Sequence, residues 1–205
     1  MHHYLFGTIA CCLSLLITEN AVAQSKRAPS IGDTPPAWKN LAGTDGKQHS
    51  LADLDQFDVL VVVFTCNSCP YSVDYEDRII ALQKKLDGDG SRVRVIAINS
   101  NKVAADSMDE MKKRAKDKAF NFPYLWDESQ EVAKGYGAIY TPEFFVLNKE
   151  RRIVYKGAMD DSTKAENVKV NFVEIAVKAA LAGKTPKVTK TGARGCAIRF
   201  KRTRR

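Results

Sequence analysis

The stretch Val59-Leu60-Val61-Val62-Val63-Phe64-Thr65-Cys66-Asn67-Ser68-Cys69-Pro70-Tyr71-Ser72 decides how this chain reads. Its first six residues are apolar and mostly β-branched, the composition of a strand buried on both faces. The run ends abruptly at two cysteines spaced C-x-x-C. Beyond them Tyr75, Ile79, Leu82 and Leu86 recur at helical spacing, with Asp74, Glu76, Asp77, Gln83, Lys84 and Lys85 between them. Pro70 marks the first turn of that helix, so the cysteine pair lies at a strand-to-helix junction.

A thiol placed there faces the positive end of a helix dipole and its free N–H groups, which favour thiolate over thiol. Two cysteines at this spacing can close on each other. One can therefore attack a partner's sulfur while the other resolves the mixed disulfide. In this order Cys66 is expected to be the nucleophile and Cys69 the resolving thiol. Zinc binding would need about four ligands, and the only plausible additions are Cys196 and His49, with no second pair. A purely structural disulfide is the other bland reading, but so small a loop constrains little chain.

Working outward, Ile31 to Trp38 is broken by prolines, and Gly43-Thr44-Asp45-Gly46-Lys47 reads as the turn of a short hairpin beside His49, a surface residue. Ser50 or Asp53 opens a helical turn. Gly88-Asp89-Gly90 stops the cysteine-bearing helix, and Val93 to Asn99 is the next strand, parallel to the first through a right-handed crossover. Ser107-Met108-Asp109-Glu110 caps a second helix running to about Ala119, with Lys112, Lys113, Arg114, Lys116 and Lys118 on a solvated face. Phe122 to Trp126 is extended, and Asp127 to Gln130 cap a small helix ending near Gly135 to Gly137. Phe144 to Leu147 and Ile153 to Tyr155 form an antiparallel pair around an Asn148–Arg151 turn. Thr141-Pro142 precedes that pair, and X-Pro is the one linkage for which a cis bond costs little. A closing helix presents Val168, Phe172, Ile175 and Ala179, with Gly183 at its end.

The chain of 205 residues is long enough for one well-buried domain. Residues 1–23 read as a secretory signal: Leu5 to Ile17 is mostly apolar, and Ala21-Val22-Ala23 offers small residues ahead of a cut before Gln24. The n-region holds His2 and His3 in place of Lys or Arg, and an uncleaved signal anchoring the protein to a membrane is the alternative. Removing it leaves Cys66, Cys69 and Cys196 in an oxidising compartment. Residues 24–30 are a linker, 31–183 the domain, and 184–205 a basic tail. That tail carries Lys184, Lys187, Lys190, Arg194, Arg199, Lys201, Arg202, Arg204 and Arg205 with no acidic residue, which accounts for the net charge of +8. It has no groove-reading motif for nucleic acid. Weak attraction to anionic surfaces is the partner it suggests.

Cys66-Asn67-Ser68-Cys69-Pro70-Tyr71, Tyr75-Glu76-Asp77-Arg78, Ala97-Ile98-Asn99-Ser100-Asn101, Phe122-Pro123-Tyr124-Leu125, Tyr140-Thr141-Pro142-Glu143-Phe144-Phe145 and Gly195-Cys196-Ala197-Ile198 together resemble a bacterial thioredoxin-like group. This group is the peroxiredoxin-like redoxins of the alkyl hydroperoxide reductase/thiol-specific antioxidant superfamily. The resemblance implies an α/β thioredoxin fold, a central mixed sheet flanked by helices, with an N-terminal β extension. It implies a cis Thr141-Pro142 bond beside the cysteines, Thr141 and Pro142 contacting substrate, Cys66 attacking and Cys69 resolving.

Peroxide chemistry fits this sequence less well. Peroxiredoxins place Pro and Thr seven and three residues before the peroxidatic cysteine, where Val59 and Val63 stand here, and Thr141-Pro142 occupies the place of their arginine. Ordinary thioredoxins also differ: Thr65 replaces a tryptophan, and the proline follows Cys69. Pro70 biases Cys69 away from helical angles, so a later helix start would leave Cys66 less activated. The expectation is an exported thiol–disulfide oxidoreductase without a bound cofactor, exchanging Cys66–Cys69 with protein thiols and an electron donor. A thiol peroxidase and a non-catalytic binding module are the alternatives. Cys196 is either a third redox thiol or a free tail cysteine.

Overall fold

The computed structural model describes residues 27–88 and 90–201. The signal and the anchor expected at residues 1–23, and Arg202, Arg204 and Arg205, lie outside the described residues. Among those described, no helix is long and apolar enough to cross a membrane.

The described residues form nine strands and four α-helices: β1 (Leu41–Gly43), β2 (Gln48–His49), β3 (Val59–Phe64), α1 (Pro70–Leu86), β4 (Val93–Asn99), α2 (Met108–Asp117), β5 (Tyr124–Trp126), α3 (Glu131–Tyr136), β6 (Tyr140–Thr141), β7 (Glu143–Leu147), β8 (Ile153–Gly157), α4 (Phe172–Leu181) and β9 (Cys196–Ala197). Seven strands make one mixed sheet in the order β2-β1-β5-β4-β3-β7-β8, and β6 with β9 forms a separate two-stranded ribbon. β3, β4 and β5 run parallel. The β7–β8 hairpin adds antiparallel on one side, and the β1–β2 hairpin, the expected N-terminal extension, on the other.

β3 is central because every residue in it is apolar. Side chains alternate across a strand, so Val59, Val61 and Val63 enter one core with Tyr75, Ile79 and Leu82 of α1, Met111 of α2, and Val173, Ala176 and Val177 of α4. Leu60, Val62 and Phe64 enter the other with Trp38, Tyr136 of α3, Phe145 and Ile198. The helices thus flank the sheet, and the C-terminal end of β3 delivers Cys66 to its rim.

Two expectations about helix faces change. The closing helix begins at an Asn171 cap, whose side chain accepts from the Glu174 N–H. It buries Val173, Ala176 and Val177, while Ile175 is 46% exposed and Val168 precedes the helix. Residues 172–181 are apolar almost all round, so periodicity alone chose the wrong stripe. The basic face of α2 is also more than solvated surface. Arg114 donates to both carboxylate oxygens of Glu76 at 2.8 and 2.7 Å, and Lys118 reaches Asp77 at 2.9 Å, joining α2 to α1. Arg78 and the Tyr75 hydroxyl likewise hold Asp160 beyond β8.

Residues 184–201 belong to the domain and do not form an appended tail. Thr191 lies beside Gly157, where a Cβ would collide with it. Its hydroxyl accepts the Ala158 N–H at 2.9 Å and meets the Tyr155 hydroxyl at 2.6 Å. Further on, Ile198 is buried, the Arg199 N–H donates to Asn101 Oδ1, and the Lys201 N–H donates to Gln130 Oε1. The charged side chains point outward while backbone and alternate residues anchor the segment, which charge counting could not reveal. Thr191→Val is expected to cost about 1–2 kcal/mol, because a half-buried N–H loses its acceptor. A lowered urea midpoint with unchanged slope would show it; an unchanged midpoint would mean that this contact does not hold the segment.

Candidate active site

Three cysteines converge on one residue. Cys66 Sγ lies 3.3 Å from Thr141 Oγ1 and 3.7 Å from Ser68 Oγ. Cys69, as a neutral thiol, donates to the Thr141 carbonyl at 3.1 Å. Cys196 Sγ is 2.7 Å from Cys69 Sγ, and all three sulfurs are free. The Thr141–Pro142 peptide is cis, as expected. Glu143 holds the approach to it, its carboxylate accepting the N–H groups of Ile139 at 2.8 Å and Tyr140 at 3.1 Å. The loop that the resemblance assigned to substrate is therefore fixed against both sulfurs of the C-x-x-C.

Of the two thiols in the pair, Cys69 is the one whose pKa is lowered and Cys66 the one whose pKa is raised. Cys69 has extended angles (φ −95°, ψ 119°) and is the N-cap of α1, with Pro70 in the first turn. The helix's free N–H groups therefore face Cys69 and not Cys66. Burial opposes ionisation of Cys69, but hydrogen bonds to its sulfur from the Cys196 thiol and from the Ser72 and Cys196 N–H groups outweigh it and bring it below the ordinary thiol range. Burial pushes the Cys66 thiol up, and the Asp106 carboxylate adds to this. The Thr141 and Ser68 hydroxyls offset only part of the rise. Cys196 is pushed up to about 11, first because its thiol is the donor to Cys69, then by burial and the nearby sulfurs.

Sequence reading missed Asp106. Its carboxylate is fully buried and holds the loop between the cysteines: Oδ1 accepts the N–H groups of Asn67 at 2.6 Å and Ser68 at 3.1 Å, and Oδ2 accepts the Ser68 hydroxyl at 2.5 Å. Asn99 and Asn101 donate to the same carboxylate. The Ala97–Asn101 segment carried part of the family resemblance, but only the structure shows that its amides serve an aspartate on the next turn. His49 lies apart, with Nε2 on the Asp45 carboxylate at 3.0 Å. Among the described residues no group of three or more His, Cys, Asp or Glu could hold a metal ion.

The Thr141 hydroxyl stabilises the Cys66 thiolate, so Thr141→Val should raise an already elevated Cys66 pKa. Alkylation of Cys66 by iodoacetamide is expected to slow at any given pH and to need a higher pH for its half-maximal rate. An unshifted profile would remove the hydroxyl from any part in tuning this sulfur.

The fold has parallels in known structures. A protein of Geobacillus kaustophilus, described as an uncharacterized conserved protein, is 32% identical with a TM-score of 0.78, over 85% of this chain and 94% of its own. A hypothetical protein of Sinorhizobium meliloti 1021 is 32% identical with a TM-score of 0.77, over 85% of this chain and 97% of its own. Peroxidoxin BcpB from Mycobacterium tuberculosis, at 20% identity and a TM-score of 0.55 over 67% of this chain and 90% of its own, shares the fold. Comparison with curated proteins gave no match. The AhpC/TSA family model matches residues 31–156, from the proline-broken N-terminal segment through the cysteine pair and Pro142 to β8. With a matching thioredoxin-like sheet and the cysteine pair at its rim, the chain belongs to the AhpC/TSA family.

Proposed function

We propose that the protein is an exported thiol–disulfide oxidoreductase whose Cys66–Cys69 pair exchanges with protein thiols and disulfides. One observation carries this reading: both sulfurs lie against Thr141 of the cis Thr141–Pro142 loop, at 3.3 and 3.1 Å. Exchange needs a disulfide that opens at one sulfur while the other leaves, and the lower the leaving thiol's pKa, the faster it leaves. Cys69, held below the usual range, is the better leaving group. A client thiolate attacking Cys66 of the oxidised pair releases Cys69 as a stabilised thiolate. In the reverse step the Cys69 thiolate attacks Cys66 within the mixed disulfide and frees the client.

Exposed apolar side chains near the loop and the cysteine pair suit a polypeptide client: Tyr71 follows Pro70, and Ile139 and Tyr140 lead into Thr141. The exposed Lys184, Lys187, Lys190 and Arg194 give weak attraction to anionic surfaces, which salt screens. Export rests on the apolar segment ending at Ala21-Val22-Ala23, and an N-terminal sequence beginning at Gln24 in the mature protein would establish it.

The test is direct. Reduced protein is mixed with a disulfide-linked peptide pair, and oxidised protein with a peptide thiol, and exchange is followed by mass spectrometry. Rates well above those of free cysteine in at least one direction are expected. No exchange in buffers spanning about −270 to −120 mV, the range of C-x-x-C proteins, would overturn the reading. Rapid consumption of hydrogen peroxide by the reduced protein would replace it with a peroxidase. The side chains placed on Cys66 Sγ are the hydroxyls of Ser68 and Thr141.

A further inference from the structure

We propose that Cys196 is the third working thiol of the site, the sulfur through which small external thiols reduce the buried pair. This rests on the exchange reading of Cys66 and Cys69. The placement of Cys196 is built and not incidental. β9 pairs antiparallel with β6, with Thr141 opposite Cys196. Gly195 passes so close to the Thr141 carbonyl and Pro142 nitrogen that a Cβ there would collide with both. The chain is anchored beyond Cys196 by buried Ile198, whose N–H donates to the Ile139 carbonyl at 2.8 Å, and by Asn101 and Gln130 on Arg199 and Lys201. The result is a sulfur seated 2.7 Å from Cys69 Sγ, within a small shift of the bonded distance of about 2.05 Å.

Accessibility separates the three thiols. Cys66 is 2% and Cys69 1% exposed, whereas Cys196 is half-buried. A reductant arriving from solvent meets Cys196 first. The chemistry follows in two stages. In the first, Cys196 loses its proton and attacks Cys69 Sγ of the Cys66–Cys69 disulfide. The Cys69–Cys196 bond forms as the Cys66–Cys69 bond breaks, and Cys66 leaves with the electron pair and takes up a proton. This is a rearrangement with no net oxidation or reduction. In the second, an external thiolate attacks the accessible Cys196 Sγ and Cys69 departs as thiolate, a good leaving group in its hydrogen-bonded seat. A second external thiol then releases Cys196. Two external thiols become one disulfide, and the protein gains two electrons and two protons.

The experiment uses the full mature chain and glutathione. Protein oxidised with glutathione disulfide is quenched in acid, alkylated, digested and mapped for disulfides. Its re-reduction by glutathione is then followed. Wild type is expected to show Cys69–Cys196 beside Cys66–Cys69, and Cys66→Ser to show Cys69–Cys196 as its main internal link. Cys196→Ser should still form Cys66–Cys69 but be reduced by glutathione about tenfold more slowly, since a thiol that does not dock on the Thr141–Pro142 loop as a client chain does must now reach a buried sulfur. Reduction of Cys196→Ser at the wild-type rate would overturn the proposal, as would separate glutathione adducts with no internal link in Cys66→Ser. The two readings fail differently. If peptides do not exchange with the protein while the Cys69–Cys196 link still forms and relays, the exchange function falls and the relay stands.

Discussion

Cys69→Ser should accumulate covalent complexes with client proteins, each joined through Cys66, while Cys66→Ala should lose exchange to the background rate of a free thiol. The asymmetry comes from where the chain places its charge. Cys69 caps α1 and is held below the ordinary thiol range, whereas burial and the Asp106 carboxylate hold Cys66 above it. On the proposed exchange reading Cys69 resolves the mixed disulfide, and a serine hydroxyl in its place cannot. The complexes are read as reductant-sensitive bands shifted in mass and mapped to Cys66 by peptide analysis. The resolving step carries a pH signature. A depressed pKa keeps the thiolate populated below the pH at which a free cysteine would protonate, and resolution slows as pH falls through the pKa of Cys69 itself. Equal trapping by Cys66→Ser and Cys69→Ser would mean that the two sulfurs are interchangeable, and the division of labour would fail.

Asp106→Ala should cost about 4 kcal/mol or more, because the Asn67 and Ser68 N–H groups and the Asn99 and Asn101 amides lose a shared acceptor in a buried setting at about 1–3 kcal/mol for each group left unsatisfied. In a protein of this size that is a fall in Tm of about 10 °C, measurable by calorimetry on the reduced chain. The loop between the cysteines loses its anchor at the same time, so exchange should fall even at temperatures where the variant remains folded. Asp106→Asn separates charge from packing. Removing the negative charge near Cys66 takes away one of the influences that raise its pKa, so alkylation of Cys66 should move to lower pH. A variant with wild-type melting and an unshifted profile would show that Asp106 neither supports the loop nor tunes the sulfur.

The legible parts of this chain are those in which one residue's chemistry speaks for its own position. Val59–Phe64 is apolar at every place, so it must be covered on both faces and must be central. Ser107 and Glu110 mark a helix start through local hydrogen bonding, which the Ser107 oxygen and Glu110 N–H make. Pro70 announces that Cys69 stays extended, which already hinted that Cys66 would be less activated by the helix. Thr141-Pro142 by itself reads as an ordinary turn before a strand, and it was the resemblance that implied its cis bond, which proline makes inexpensive.

Where several spacings fit, or where the partner lies far along the chain, the sequence is silent. The face of α4 was misread because an apolar decapeptide has no preferred stripe until the sheet beneath it selects one. Asp106 drew no notice because an aspartate's role depends on which N–H groups surround it, and those come from residues 67 and 68 and from 99 and 101. Cys196 is 127 residues from Cys69, and no local pattern reports that β9 folds back along β6. By itself the sequence determined the central strand and the cysteine pair at its rim, because these follow from side-chain chemistry and near-neighbour geometry. Only the tertiary structure decided which thiol of the pair is the more acidic, which carboxylate holds the loop and which third thiol lies beside the pair, because pKa and proximity arise from groups that meet only when the chain has folded.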